Sequence, residues 1–424
     1  MRRAPLALAL SLALTPSAFA QLPSPLDLVR GLRSAGLVDL AILRLGELTA
    51  KPGLLTPDEV KLVALEMARI RLEQAARESE DGKRAALLAQ ARGEFDTFIR
   101  DNAGHPMVAQ ANVDLARLLA LQAKTQAGRA NRVEGAEAKA AEAAKARPLF
   151  TDAIARYQGA IAALEAGLKL PGVKATDAAE LTRSRIQAEL DAAVLQFDLG
   201  LTFSAEGERP QRGDALTKAE KAFNRIGDRY GEQRVGLLAH VWTLQCQFSN
   251  GDEVKALKGF ADFEVAYRAN REASDALRQA RFFGIEHIVA NDQSKDSAAQ
   301  RLTKAEQAAD RWLKMYPEAR GTLEGLGARY RRATLKEARA KLPGGVKVDD
   351  KTKRVTSVSA ESRLLLTDAN AIYKELTETD NEYTDRAQRR RLTRSARSSR
   401  GIWPLRCNRP ASSKRPSWRR PRVG

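Results

Sequence analysis

The chain has 424 residues, 43% of them hydrophobic, and a formal net charge of +18. At face value that charge points to an anionic partner, nucleic acid or a membrane surface. It is concentrated in one place, however: residues 387–424 hold twelve Arg, one Lys and no acidic residue, which leaves 58 basic against 53 acidic groups in residues 1–386. The body from residue 21 to 386 carries about +3, an ordinary solvated balance with no basic groove, so nucleic acid is disfavoured as a partner.

Taken in chain order, the first twenty residues form a targeting segment. "MRR" is a positive start, "LALALSLAL" an apolar run, and Ala18-Phe19-Ala20 a small-x-small cleavage site. Cleavage is expected between Ala20 and Gln21; the run is too short to span a bilayer, and Gln21 offers no thiol to lipidate. The mature chain, with no further transmembrane stretch, is expected to be exported, periplasmic or extracellular. Its two cysteines do not staple it. Cys407 lies in the basic tail, and Cys246 sits on an apolar helical stripe with Ala239 and Trp242, the setting of a buried, inert thiol.

Composition predicts an all-α protein. Gly and Pro together number 44 and β-branched runs are scarce. Residues 21–89 read as an N-terminal helical segment, with a capping box at Thr56-Pro57-Asp58-Glu59. From residue 90 an element recurs: Ala, three residues, an aromatic, a turn, then a new apolar helix. It falls at Ala91/Phe95, Ala219/Phe223, Ala256/Phe260, Ala308/Trp312 and Ala369/Tyr373, with "ARPLFTDAIARY" at 146–157 a further candidate. Ile186, Leu190, Val194, Phe197 and Leu201 make one helical stripe, ended by a breaker-rich "EGERPQRGD" loop. Asp214 and Asp252 read as simple caps, and Ser297 to Gln300 as a second capping box. Two insertions interrupt the series. Residues 128–148, rich in Ala, Glu and Lys, read as an exposed helical extension, and 342–362 as a flexible loop or a small hairpin.

A small Ala lets two helices approach, and the aromatic four residues on fills the gap beside it. One such hairpin cannot bury its own apolar face, so neighbours must stack. The pattern resembles the tetratricopeptide repeat, whose second helix carries an Ala-x₃-aromatic pair and whose first carries a Gly with an aromatic three residues later. Gly200/Phe203 and Gly327/Tyr330 supply the latter, and "WLKMYPEA", with Pro317 ending a helix, is similar to the variant of exported bacterial envelope scaffolds. The resemblance covers about residues 90–392, although the aromatics from Phe223 to Tyr373 are spaced 37, 52 and 61 residues apart rather than evenly. It implies an α-solenoid of helical hairpins with irregular insertions that binds peptides or partner proteins in the cell envelope, without a cofactor.

Catalytic chemistry finds little footing. Three histidines, His105, His240 and His287, are dispersed, without HExxH, an i, i+4 pair or Cys-x₂-Cys, so no metal site is expected. Gly325 and Gly327 lack the strand and lysine of a phosphate loop and read as close helix packing. No nucleophile elbow is present. The reading is therefore non-catalytic, with catalytic and ligand-binding residues unassigned. Two alternatives stand beside it: a helical enzyme-accessory domain, and a polyanion binder acting through the tail, where Trp403 and Trp418 could stack on bases. The tail itself, 393–424, reads as a disordered Arg/Ser/Pro-rich segment. Its loss of acidic residues with a gain of Arg, Pro, Ser, Trp and Cys matches an out-of-frame reading of GC-rich DNA beginning between about Ala387 and Ser395.

Overall fold

In a computed structural model the described residues run from 24 to 390, apart from 79, 131–132, 134, 170–174, 292–293, 349–354, 379–382, 385–386 and 389. Residues 1–20, with the cleavage expected at Ala20/Gln21, and the basic tail lie outside them. Fifteen α-helices, four short 3-10 helices and one two-stranded hairpin make up the regular structure of the described residues, grouped into two compact units that divide at residues 111/112, with 77–79 counted in the second. The fold class is all-α, as the composition implies.

The first unit holds α1 (Pro25–Ser34), α2 (Val38–Ala50), α3 (Pro57–Arg77) and α4 (Asp81–Asp101). Ser24 caps α1, its hydroxyl accepting from the Leu26 N–H while Asp27 accepts from the Ser24 N–H. Gly36, at φ 77°, ends the helix: its N–H and that of Leu37 turn back to the carbonyls of Arg33 and Leu32, a left-handed closure that glycine adopts without strain. Leu26, Val29, Val38, Ala41, Leu45, Leu48 and Ile70 form the core. Against it lies the fully buried Glu66, which accepts from Arg30 Nε and Arg69 Nη1 at 2.9 Å each. The Thr56 capping box forms as expected, Glu59 accepting from the Thr56 N–H at 2.8 Å.

The second unit begins within α5 (Val108–Arg129) and continues through α6 (Ala136–Ala144), α7 (Arg147–Leu168), α8 (Ala175–Leu201), α9 (Arg209–Tyr230), α10 (Arg234–Ser249), α11 (Glu253–Tyr267), α12 (Ser274–Ala290), α13 (Ala298–Met315), α14 (Leu323–Ala340) and α15 (Ala360–Leu376). From α7 onward every helix packs on its successor. In addition α8 touches α10, α10 touches α12 and α12 touches α14. Two rows result: α8, α10, α12 and α14, each touching the next and here called the inner row, and α9, α11, α13 and α15, the outer row, of which α9, α11 and α13 each pack against two successive members of the first. This is an α-solenoid of tetratricopeptide-like hairpins.

Several expectations need correction. Asp214 caps nothing: α9 starts at Arg209, with Pro210 in its first turn, so the "RPQRGD" stretch is helical. Proline in a first turn gives up only an N–H that has no intrahelical partner, which is why an apparent breaker begins the helix. Asp252 does precede α11 but makes no side-chain cap bond. Residues 128–148 are not one exposed extension. They hold the end of α5, the short α6 and the start of α7, with Ala143 and Ala146 buried. Of the two readings for 342–362 the hairpin is the one seen, β1 (Val346–Val348) pairing antiparallel with β2 (Val355–Val358), Val346 opposite Val358.

Candidate interaction surface

The Ala-x₃-aromatic pairs sit where helices meet. Ala91 and Phe95 are fully buried on α4, Ala219 and Phe223 on α9, and Ala369 and Tyr373 on α15. On α11 Ala256 is buried while Phe260 is partly covered, its ring 4.6 Å from that of His287 and 6.4 Å from that of Phe283. On α13 the spacing differs: Ala305 and Ala309 are the fully buried small residues beside Trp312, and Ala308 is only partly buried. The Trp312 indole N–H donates to the Arg278 carbonyl of α12 at 3.0 Å, which fixes the ring against the inner row.

The two glycine–aromatic pairs behave differently from each other. Gly327 lies under α12, where a Cβ would come within 2.9 Å of the Phe282 ring and 2.7 Å of the Tyr383 hydroxyl. Its partner Tyr330 stands among rings, 5.8 Å from Tyr373 and 5.3 Å from Tyr383. Gly200 is likewise closed in, a Cβ there falling 2.9 Å from Leu216 of α9. Phe203, however, lies past the end of α8. The Arg147 guanidinium of α7 covers it at 4.2 Å and also donates to the Thr202 carbonyl at 3.0 Å and to Glu208 at 2.8 Å. That arginine ties the α8–α9 turn to the preceding hairpin.

The sequence pattern catches one further feature in part and misses two. Ala153, Tyr157 and Ala160 are the buried face of α7, an Ala-x₃-Tyr-x₂-Ala run inside and beyond the "ARPLFTDAIARY" stretch. Burial, then the neighbouring Asp191 carboxylate that accepts from it at 3.3 Å, pushes the Tyr157 hydroxyl pKa up. Gly259 on α11 brings Leu244 of α10 within 2.4 Å of where a Cβ would stand. Finally, α10 is covered on almost every side, so Thr243, Gln245 and Gln247 are buried polar residues in a helix that no amphipathic rule would place there.

Polar contacts link the rows. Gln245 of α10 meets His287 of α12 at 2.9 Å, Arg278 of α12 donates to Glu324 of α14 at 2.7 Å, and Arg331 of α14 meets Glu286 of α12 at 2.8 Å. The basic residues of α14 are engaged in the same way: Arg329 with Glu375, Arg332 with Asp310, Lys336 with Glu306 and Asp368, Arg339 with Glu306 and Glu361, and Lys341 with Glu337. Burial would raise the Glu306 pKa, but the hydrogen bonds from Lys336 and Arg339 outweigh it and hold the carboxyl below its usual range. The cations of α14 and of Lys341 just after it are thus tied to carboxylates of the neighbouring helices, which makes α14 a structural hub.

Among the described residues no cluster of three or more His, Cys, Asp or Glu side chains could hold a metal ion, and no helix is long and apolar enough to cross a membrane. The histidines remain apart. His105 Nδ1 accepts from the Met107 N–H at 3.1 Å in a turn, His240 is exposed beside Phe263 with its pKa lowered by desolvation, and His287 is enclosed. The Cys246 thiol is fully buried, and burial, followed by the charge of Glu220, drives its pKa up; it is no nucleophile.

No known family and no curated protein matches this sequence. Among solved structures the chain is similar to yeast Tom70, at 12% identity over 89% of this chain and 90% of that one, with a TM-score of 0.25. At that distance the likeness carries no argument about partner or ligand.

Proposed function

We propose that this protein is a non-catalytic scaffold that binds partner proteins or peptides along the inner row of its second unit. The observation that carries this reading is the double row itself: α8, α10, α12 and α14 touch in succession, and each packs on the helix that follows it, which makes one repeated array of rigid elements. Arrays of this kind recognise extended partners by spreading many small contacts over rigid elements. The chemistry present agrees, being packed alanines and aromatics with paired charges and a buried, unreactive thiol.

Export belongs to the same proposal. Its support is the sequence of residues 1–20, where a positive start, an apolar run and a small-x-small site precede Gln21. The envelope, periplasmic or extracellular, is accordingly where we place the partner.

The test is to incubate the purified full chain with an envelope extract of its own cells and to resolve the mixture by size-exclusion chromatography with mass spectrometry. A protein partner co-eluting in fixed proportion is expected. A chain that elutes alone, or that carries a metal or small molecule in stoichiometric amount, would contradict the scaffold and favour an enzyme-accessory role.

A further inference from the structure

His287 is the only fully enclosed histidine among the described residues, and three helices converge on it. Phe248 at the end of α10 lies 3.9 Å from its ring, Phe260 of α11 4.6 Å and Phe283 of its own helix 6.5 Å, all between centroids. Its polar partner across the joint is Gln245 of α10, a neutral amide that is itself buried. The charge that reaches the ring comes from α14: Arg331 stacks on Phe282 at 4.0 Å, donates to the Phe282 carbonyl at 2.9 Å and pairs with Glu286. On α11, one turn beyond Phe260, Glu264 pairs with Arg281. Arg331 is the charge that bears on the imidazole, and no carboxylate acts with it.

We propose that His287 makes the joint of α10, α11 and α12 acid-sensitive: the joint closes around the neutral imidazole and opens when the ring takes a second proton. An imidazolium here would lose its hydration and face the like charge of Arg331. The phenyl rings attract a cation weakly and offset only part of that cost. Burial first, then Arg331, accordingly lowers the His287 pKa to about 3. In an open joint the ring returns to its ordinary value near 6.5. A depressed pKa means that the closed form is fully favoured above about pH 6.5 and loses ground as pH falls toward 3. The open-to-closed ratio should rise about 30-fold between pH 7.5 and pH 5. Opening would uncover Phe260 and Phe283 beside the inner row. The inference stands on the joint alone and is independent of any partner.

Hydrogen exchange of the full chain at pH 7.5 and pH 5, corrected for intrinsic rates, reads that ratio in peptides covering 241–249 and 283–290. An increase of about 30-fold is expected in the wild type, and little or none in His287→Phe and His287→Gln. Equal opening at both pH values, or variants that retain the full pH dependence, would overturn the proposal. Should neither variant fold, the wild-type ring itself decides by NMR titration: a His287 midpoint well below 6 supports the proposal, and one near 6.5 in the folded chain overturns it.

Discussion

Gly325 shows how much one missing methyl can matter in this array. It occupies the first turn of α14, where a Cβ would stand 2.0 Å from the Ala319 carbonyl oxygen and 2.8 Å from the Arg320 Cα. Both are backbone atoms, so a side chain cannot be accommodated by a rotamer change. Gly325→Ala should cost about 1–3 kcal/mol, the usual penalty of overpacking, in chemical denaturation. Gly284, inside α12, has no heavy atom within 4 Å of its virtual Cβ. There Gly284→Ala should stabilise by about 0.5–1 kcal/mol, because only the entropy of the unfolded chain changes. Opposite signs from two helix glycines of one unit would verify the packing; equal effects would contradict it. The sequence read Gly325 and Gly327 as close-packing positions, and both are. It could not find Gly259, because nothing local marks a glycine whose neighbour, Leu244, is on another helix.

At the scale of the helix, α14 depends on its ionic partners. Glu306 of α13 is buried and receives both Lys336 and Arg339, so Glu306→Gln leaves Lys336 with Asp368 and Arg339 with Glu361 as their remaining carboxylates and should destabilise by about 1–3 kcal/mol. Removing the exposed Asp214–Lys218 pair of α9 should change stability by less than about 0.5 kcal/mol in the same assay. The signs of the pH response also separate by element. The lowered pKa of His287 on α12 makes stability fall first, from about pH 6.5 downward; the lowered pKa of Glu306 adds a second loss below its unfolded value near 4.5. A melting temperature flat from pH 7.5 to pH 5 would contradict the first of these. Helix existence was plain from composition and from the Ser297 capping box, which forms with Gln300 as read. Element limits were less legible. Pro210 reads as a breaker yet begins α9, since only the tertiary setting shows that its N–H would have had no partner.

For the whole molecule, repeat register is what the sequence left hardest to see. Ala305, Ala309 and Trp312 occupy the α13 interface where the pattern picks Ala308 and Trp312: the aromatic is where it was read, but the small residues beside it lie at 305 and 309. The Ala153/Tyr157/Ala160 face of α7 was half visible as "ARPLFTDAIARY" for the same reason: Phe150 and Tyr157 are both buried, and either could anchor a repeat. The two-row order itself is non-local and follows from which helices touch. It makes binding along the inner row the central claim, and site-specific photo-crosslinking tests that claim most directly. A photoreactive residue would replace Gln187 of α8 or Glu286 of α12 in the inner row, and Val265 of α11 or Leu364 of α15 in the outer row. The last three are 54%, 69% and 63% exposed, so accessibility does not favour the inner row. Partner adducts from positions 187 and 286 with none from 265 and 364 are the expected result; adducts from the outer positions alone would contradict the account.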